Sequence, residues 1–238
     1  MSSAIVAILA SYSSSGAWLG EPPSRQGSVA GVEVSAKTGL VPAFRAQERD
    51  LLSASAALSW QPADPVVLRL SYPIQAMQFP DESRVLGGGD LRLGAAVLLW
   101  SGPFEVWLDQ QVKLPNASDE RQLGTDETDW LGRCWVAWNG PLRIDGAAGL
   151  AILGDPNHFA AQDDAALIDL RVSKSAGPVD LYLWGGGRLA SPRNPADLSL
   201  RGGVGGLHGR LTFGAEAGLG LTPAAADVGL RAWTGLVF

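Results

Sequence analysis

The segment SGPFEVWLDQQVKLP, Ser101 to Pro115, opens on a tight-turn signal and then alternates two chemistries. Successive side chains of an extended strand point to opposite faces. Glu105, Trp107, Asp109, Gln111 and Lys113 therefore share one face, and Phe104, Val106, Leu108, Val112 and Leu114 share the other. The pattern recurs along the chain. Leu91, Leu93, Ala95, Val97 and Leu99 oppose Asp90, Arg92, Gly94 and Ala96; Leu142, Ile144, Ala148, Leu150 and Ile152 oppose Arg143, Asp145, Ala147 and Gly149; Leu211, Phe213, Ala215, Ala217 and Leu219 oppose Arg210, Thr212, Gly214 and Glu216. Such a chain folds into sheet, with oil on one side and small or charged groups on the other.

Connections alternate as regularly as side chains. Ser101-Gly102-Pro103, Asn139-Gly140-Pro141 and Ala176-Gly177-Pro178 are tight turns whose prolines lie 38 and 37 residues apart, a spacing that marks a repeated hairpin. Two more short turns fall near Pro65 and near Leu207-His208-Gly209. Between the turns lie polar loops at 39–50, 80–89, 116–129, 155–165, 190–196 and 222–227. Five turns and six loops predict twelve strands, at 29–38, 51–60, 66–78, 90–100, 104–114, 130–138, 142–153, 166–174, 179–188, 197–206, 210–220 and 227–238, with no helix among them.

A soluble sandwich also alternates, so further features decide. Strands of about ten residues match a tilted membrane crossing, whereas globular strands average about five or six. Trp60, Trp100 and Trp138 each stand just ahead of a short turn, where an interfacial aromatic girdle falls. Short connections on one rim and long ones on the other are the habit of outer-membrane barrels. The prediction is an all-β fold, a single closed antiparallel transmembrane β-barrel of about twelve strands over residues 28–238, in the outer membrane of a Gram-negative bacterium. Its outward face meets lipid and lipopolysaccharide, and its charges face a lumen, because hydrocarbon tolerates neither an open sheet edge nor an unpaired charge.

The last strand, DVGLRAWTGLVF, puts Val228, Leu230, Ala232, Thr234, Leu236 and Phe238 on one face and Asp227, Arg231 and Trp233 on the other. An alternating C-terminal strand ending in Phe resembles the signal by which the barrel assembly machinery recognises its clients. Residues 1–27 read as a weak or truncated secretory signal, with an apolar core but no Lys or Arg ahead of it, or else as a disordered extension.

The stretch VKLPNASDERQLGTDETDW, Val112 to Trp130, together with GDLRLGA, Gly89 to Ala95, resembles the bacterial outer-membrane barrels described as transporter-like, often under a label from a phenol-degradation, MetA-pathway context. Lys113, Leu114, Pro115 and the run from Gly124 to Asp129 are the matching pieces, and outside Gly89 to Trp130 the similarity is one of pattern. The resemblance implies fold and location more than any solute.

Composition limits the chemistry. The net charge of −6 and pI near 4.9 exclude a nucleic-acid partner, which requires a basic face. Cys134 is the single cysteine, so neither an internal disulfide nor a cysteine-rich metal site can form. The longest apolar runs, AAVLLW and AIVAILA, are far short of the roughly 20 residues of a membrane helix. GGVGGLHG, Gly202 to Gly209, lacks the following helix a phosphate loop needs. The acidic loops, with Asp119, Glu120, Asp126, Glu127, Asp129, Asp163 and Asp164, lack calcium-loop spacing. No cofactor or metal is expected.

The lumen candidates are Arg92, Glu105, Asp109, Lys113, Arg133, Arg143, Asp145, Asp169, Arg171, Asp180, Arg201, Glu216 and Arg231, joined by Glu33, Lys37, Arg69 and Arg210. Trp107, Trp135, Trp184 and Trp233 share the inward parity, and Trp60, Trp100, Trp138 and Phe238 mark the membrane interface. Three functions remain open. One is a narrow passive channel or transporter for small polar or aromatic solutes, and a second is a plugged structural barrel whose charges satisfy one another. The third, a membrane-barrel lipid hydrolase, would need a serine beside a histidine; His158 falls in a predicted loop and His208 in a predicted turn. A non-enzyme is the expectation.

Overall fold

The computed structural model describes Pro23 and residues 28–40, 49–154 and 162–238, apart from 82, 119, 122, 125, 126, 178 and 192–194. The signal-like reading of 1–27 lies outside them but for Pro23. Among the described residues there are thirteen strands and no helix: β1 (Val29–Leu40), β2 (Arg49–Ala63), β3 (Val66–Gln78), β4 (Arg84–Gly88), β5 (Leu91–Ser101), β6 (Phe104–Leu114), β7 (Asp129–Asn139), β8 (Arg143–Gly154), β9 (Gln162–Ala176), β10 (Val179–Arg188), β11 (Asp197–His208), β12 (Leu211–Gly220) and β13 (Val228–Val237). Each long strand pairs antiparallel with the next, and β13 returns to β1 through a register running from Val29↔Val237 to Thr38↔Val228. Twelve strands thus close a barrel, leaving no edge whose backbone groups would need water.

The short β4 is additional. It sits within the predicted 80–89 loop and pairs with Ile74–Gln78, the part of β3 that runs beyond its pairing with β5. Its glycines hide it in the sequence. The β3–β4 turn is tied by Asp81, which accepts hydrogen bonds from the Ser83 amide (3.0 Å) and hydroxyl (2.6 Å); these hold its carboxyl below the ordinary range.

Tight turns gather at one rim. Gly177 (φ 67°) and Gly209 (φ 63°) occupy the left-handed region, which is nearly free for glycine and strained for other residues. Arg210, predicted to face the lumen, belongs instead to the β11–β12 turn and is exposed there. The turn takes it out of strand phase, and its carbonyl accepts the Val237 amide at 2.8 Å. His208 is exposed beside it. GGVGGLHG is wall, most of it lying within β11.

The outward face is apolar along every long strand, with Leu93, Leu108, Leu150, Leu170, Leu183 and Leu230 all exposed. A continuous exposed belt of this kind has no place on a monomer in water. Trp60, Trp100, Trp138 and Phe238 are exposed on this face at the turn rim; Trp100 is 65% exposed. Polar residues interrupt the belt at Gln110, exposed between Ala95 and Gly132 of the neighbouring strands, and at Thr234, whose hydroxyl donates to the Thr212 carbonyl.

At the other rim the β6–β7 loop folds inward. Ala117 and Leu123, from the β6–β7 loop, pack with Leu51, Met77 and Phe79. Asp90 and Asn116 fasten this loop, as Asp90 Oδ1 accepts the Ala117 amide (3.0 Å) and Asn116 Oδ1 accepts the Leu91 amide (2.5 Å). Leu108 lies in mid-strand on the outward face, so L108R is expected to destabilise the barrel by about 2 to 4 kcal/mol. Urea titration after refolding into lipid vesicles would measure this, and an unchanged midpoint would show that this face does not meet hydrocarbon.

Candidate functional site

The inside of the barrel is built by one parity of every strand, and it brings together the charges picked out in the sequence. Near the turn rim, Arg143 donates from Nε to Asp145 at 2.8 Å and lies 3.8 Å from Glu105. A level further in, Asp109 pairs with Arg69 at 3.1 Å, and Arg133 with Asp169 at 3.1 Å. Nearer the loop rim, Lys113 bridges Asp129 (2.8 Å) and Asp90 (3.6 Å). Arg92 is buried beside Lys113 in the β5–β6 register. Burying any of these charges alone would cost several kcal/mol, so opposite signs at hydrogen-bond distance are the condition for keeping them inside.

Between these charged levels the β5–β9 wall is apolar. Trp107 and Trp135 are register partners, each 0% exposed, packed with Val67 and Ala96. Leu131, Ala151, Leu153 and Leu167 form a second inward cluster. Water does not reach the centre of this wall, where Asp109 is only 1% exposed. Its interior is filled, not lined.

The opposite wall, from β9 through β13 to β1, is different. Three arginines sit over aromatic rings: Arg171 over Tyr182 (4.3 Å), Arg201 over Trp184 (4.6 Å) and Arg231 over Trp233 (4.7 Å). Gly203 leaves the space that the Tyr182 ring occupies, and Gly214 does the same for Trp233; a Cβ at either would collide with the ring. A guanidinium on an aromatic face gains cation–π attraction and keeps its edge free for hydrogen bonding. Two of those edges meet Glu216, from Arg201 at 3.4 Å and Arg231 at 3.7 Å, and the Tyr182 hydroxyl donates to the same carboxylate at 2.8 Å. Arg231 also meets Glu33 at 3.4 Å. Asp180 shares the inward parity at the turn end of β10 and is half-buried.

Along this second wall a cleft of about 630 Å³, part of it open to solvent, is lined by Ser35, Lys37, Asp197, Ser199, Arg201, Glu216 and Arg231, with Ala225 and Ala226 of the β12–β13 loop above it. The loop is held over the cleft: Thr222 Oγ1 donates to the Ala196 carbonyl (2.7 Å) and accepts the Leu198 amide (3.0 Å), while the Asp227 amide donates to the Thr38 carbonyl (2.9 Å). The thirteen inward candidates thus divide. Arg201, Glu216 and Arg231 border the cleft, Asp109, Arg133 and Asp169 lie within the filled wall, Glu105, Arg143, Asp145 and Asp180 lie toward the turn rim, Arg92 and Lys113 toward the loop rim, and Arg171 sits over Tyr182. Sequence reasoning passed over Tyr182, Arg188 and Asp197, although all three share the parity of Trp184 or Arg201.

His158 lies outside the described residues. Among the described residues no group of His, Cys, Asp or Glu is arranged to hold a metal ion. Cys134 is free and exposed on the outward face, in register with Leu108.

No family model and no curated protein matches the sequence. Solved structures do match in shape. The COG4313 outer membrane channel from Pseudomonas putida F1 aligns with a TM-score of 0.71 at 13% identity, over 91% of this chain and 99% of that one. The NanC porin aligns with a TM-score of 0.56 at 8% identity, over 88% and 100%. The translocator domain of the autotransporter NalP from Neisseria meningitidis aligns with a TM-score of 0.54 at 11% identity, over 89% and 88%. At these identities the likeness is one of fold, shared with outer-membrane channels and porins.

The Arg133–Asp169 pair offers a test of the filled wall. D169A strands a buried guanidinium and is expected to cost about 3 to 5 kcal/mol, whereas the double variant R133M/D169L, apolar on both sides, recovers most of that loss. Denaturant midpoints of the refolded barrel would compare them; equal losses in the two variants would contradict the pairing.

Proposed function

We propose that this protein is a narrow passive channel of the bacterial outer membrane, passing small polar solutes along the β11–β13 and β1 wall. The observation that carries the reading is the asymmetry of the interior. One wall is filled to the exclusion of water, and the other keeps a charged cleft beneath the loop rim. Charges held in pairs on rigid aromatic seats line a wet path without collapsing across it. Twelve strands lie between the roughly eight that side chains fill and the sixteen or more that leave a wide aqueous bore, so a partial lumen is what the geometry allows. The likeness in fold to outer-membrane channels supports the same reading.

In this reading the outward belt contacts outer-membrane lipid and lipopolysaccharide, and β13, ending in exposed Phe238, is the segment offered to the assembly machinery. The resemblance to barrels of phenol-pathway context would extend the solutes to small aromatics. A second reading, a plugged structural barrel, is favoured by the complete burial of Trp107 and Trp135.

Planar-bilayer recording of the refolded protein separates the two. A channel shows discrete conductance steps in potassium chloride, and W135A, which removes a side chain from the filled wall, raises the step size by roughly half or more, on the reasoning that an emptied aromatic site leaves a cavity of side-chain size. A silent wild type whose W107A/W135A variant conducts would establish the plugged barrel instead.

A further inference from the structure

The cleft beneath the β12–β13 loop is opened by two glycines. Lys37, Gly229, Gly218 and Arg201 form one register row across β1, β13, β12 and β11. A Cβ on Gly218 would lie 2.8 Å from Arg201 Cγ, so this glycine lets the arginine stem cross the wall. A Cβ on Gly229 would meet nothing nearer than Lys37 Cγ at 3.8 Å, an ordinary contact, so Gly229 is open floor. Asp197 and Ser199 line the same cleft; they are 3% and 9% exposed, and neither Asp197 Oδ2 nor Ser199 Oγ has a hydrogen-bond partner. Buried polar atoms in folded proteins almost always find partners. Lys37 is half-buried, and among the described residues neither it nor Asp197 forms an ion pair. A cation and an anion thus border one space without meeting.

The remaining charges of the cleft are engaged with one another. Arg201 and Arg231 meet Glu216, and Arg231 meets Glu33 as well. Arg188, the register partner of Asp197, does not line the cleft and has an interaction of its own. Lys37, Arg201 and Arg231 are therefore balanced by Glu33, Asp197 and Glu216. An ion of either sign entering here would leave an unmatched charge in a space largely stripped of water, which is costly. A solute with one charge of each sign adds no net charge, and it gives Lys37 an anion and Asp197 a cation at once. A neutral polyol also preserves the balance, but its hydrogen bonds are roughly half as strong as those between charged groups. Asp197 Oδ2 accepts hydrogen bonds only, and Ser199 Oγ can accept, so the cationic end of the solute must carry N–H groups.

We infer that the cleft is a binding site for small zwitterions of the amino-acid type, with Lys37 holding the carboxylate and Asp197 and Ser199 taking the ammonium. The inference rests on the channel reading for the solute's route to the cleft, while binding itself is independent of conduction. The site is small. Ala225 and Ala226 roof it, and Ala226 also packs against the cluster of Leu51, Met77 and Phe79.

Glycine and γ-aminobutyrate hold their charged ends at different separations, and each has analogues lacking one end: acetate and methylamine for the first, butyrate and propylamine for the second. Their N-trimethylated forms keep both charges and lose the N–H donors. The full-length barrel, folded in detergent, is titrated with each at neutral pH and constant ionic strength by calorimetry, and the same solutes are added in bilayer recordings. Saturable binding of at least one zwitterion is expected. Its two analogues and its trimethylated form should bind about tenfold more weakly or worse, because loss of one charge-assisted hydrogen bond is worth about a factor of ten or more. K37Q should weaken the zwitterion about tenfold and leave its amine analogue unaffected; D197N should weaken it about tenfold and leave its carboxylate analogue unaffected. G229L, which fills the floor without changing charge, should weaken it as well. D197N should keep or raise the denaturant midpoint of the parent, whereas a carboxylate with a purely structural role would lower it. The analogue series needs only the parent barrel, so it tests the site even where a variant fails to refold. No saturable binding of either zwitterion, binding no tighter than that of the analogues, or equal binding by parent, K37Q and D197N overturns the proposal. Zwitterion binding that depends on Lys37 and Asp197 in a barrel silent in bilayers would sustain the site and refute the channel.

Discussion

The backbone has no water to bond with in hydrocarbon, and the rest of this structure follows from that constraint. Every amide and carbonyl of the wall must find a partner strand, so the sheet closes through β1 and β13. Closure sends one parity of each strand outward and the other inward. Charge has only the interior to occupy, and there it must be neutralised across strands. The pairs Arg69–Asp109, Arg133–Asp169 and Arg201–Glu216 are thus consequences of the closed ladder and do not cause it. Taken singly they add little stability over an apolar filling; their value is that they let a polar interior exist at all.

The two walls solve the same problem differently. Between β5 and β9, charged levels are sandwiched by Trp107–Trp135 and by the leucines of β7, β8 and β9, and solvent is excluded. Between β9 and β1, arginines rest on Tyr182, Trp184 and Trp233 and share carboxylates edge-on. The first arrangement resembles a protein core turned inside the cylinder. The second keeps polar edges facing open space, and the cleft lies along it.

Much of this was legible from residue parity. Strand positions follow from the alternation and from the Gly-Pro turns; of the charges expected to face inward, Arg210 is exposed and the others are buried or half-buried, while buried Arg188 and Asp197 went unrecognised. Arg210 departs because it lies in the turn beyond the last register pair, His208 with Leu211, where strand parity no longer fixes the side chain's direction. The short β4 is concealed in PDESRVLGGG, whose glycines and charges read as loop until the length of β3 supplies a partner. What parity cannot show is which charges are sealed and which border open space. That depends on whether large side chains from strands far apart in sequence meet across the interior. Leu131, Leu153 and Leu167 carry the inward parity, yet nothing in their own segments says that they pack on each other.

At the seam between the first and last strands, the Phe238 amide donates to the Ser28 carbonyl at 3.0 Å, and the ten register pairs of β1 and β13 match those of other neighbouring strands. The cylinder has no structurally privileged beginning. Joining Ser28 to Phe238 by a short linker and opening the chain at another tight turn would leave the same neighbours bonded in the same register. Circular permutation would thus alter which hairpin leaves the ribosome first while keeping the finished wall, and it offers a way to separate the order of assembly from the architecture assembled.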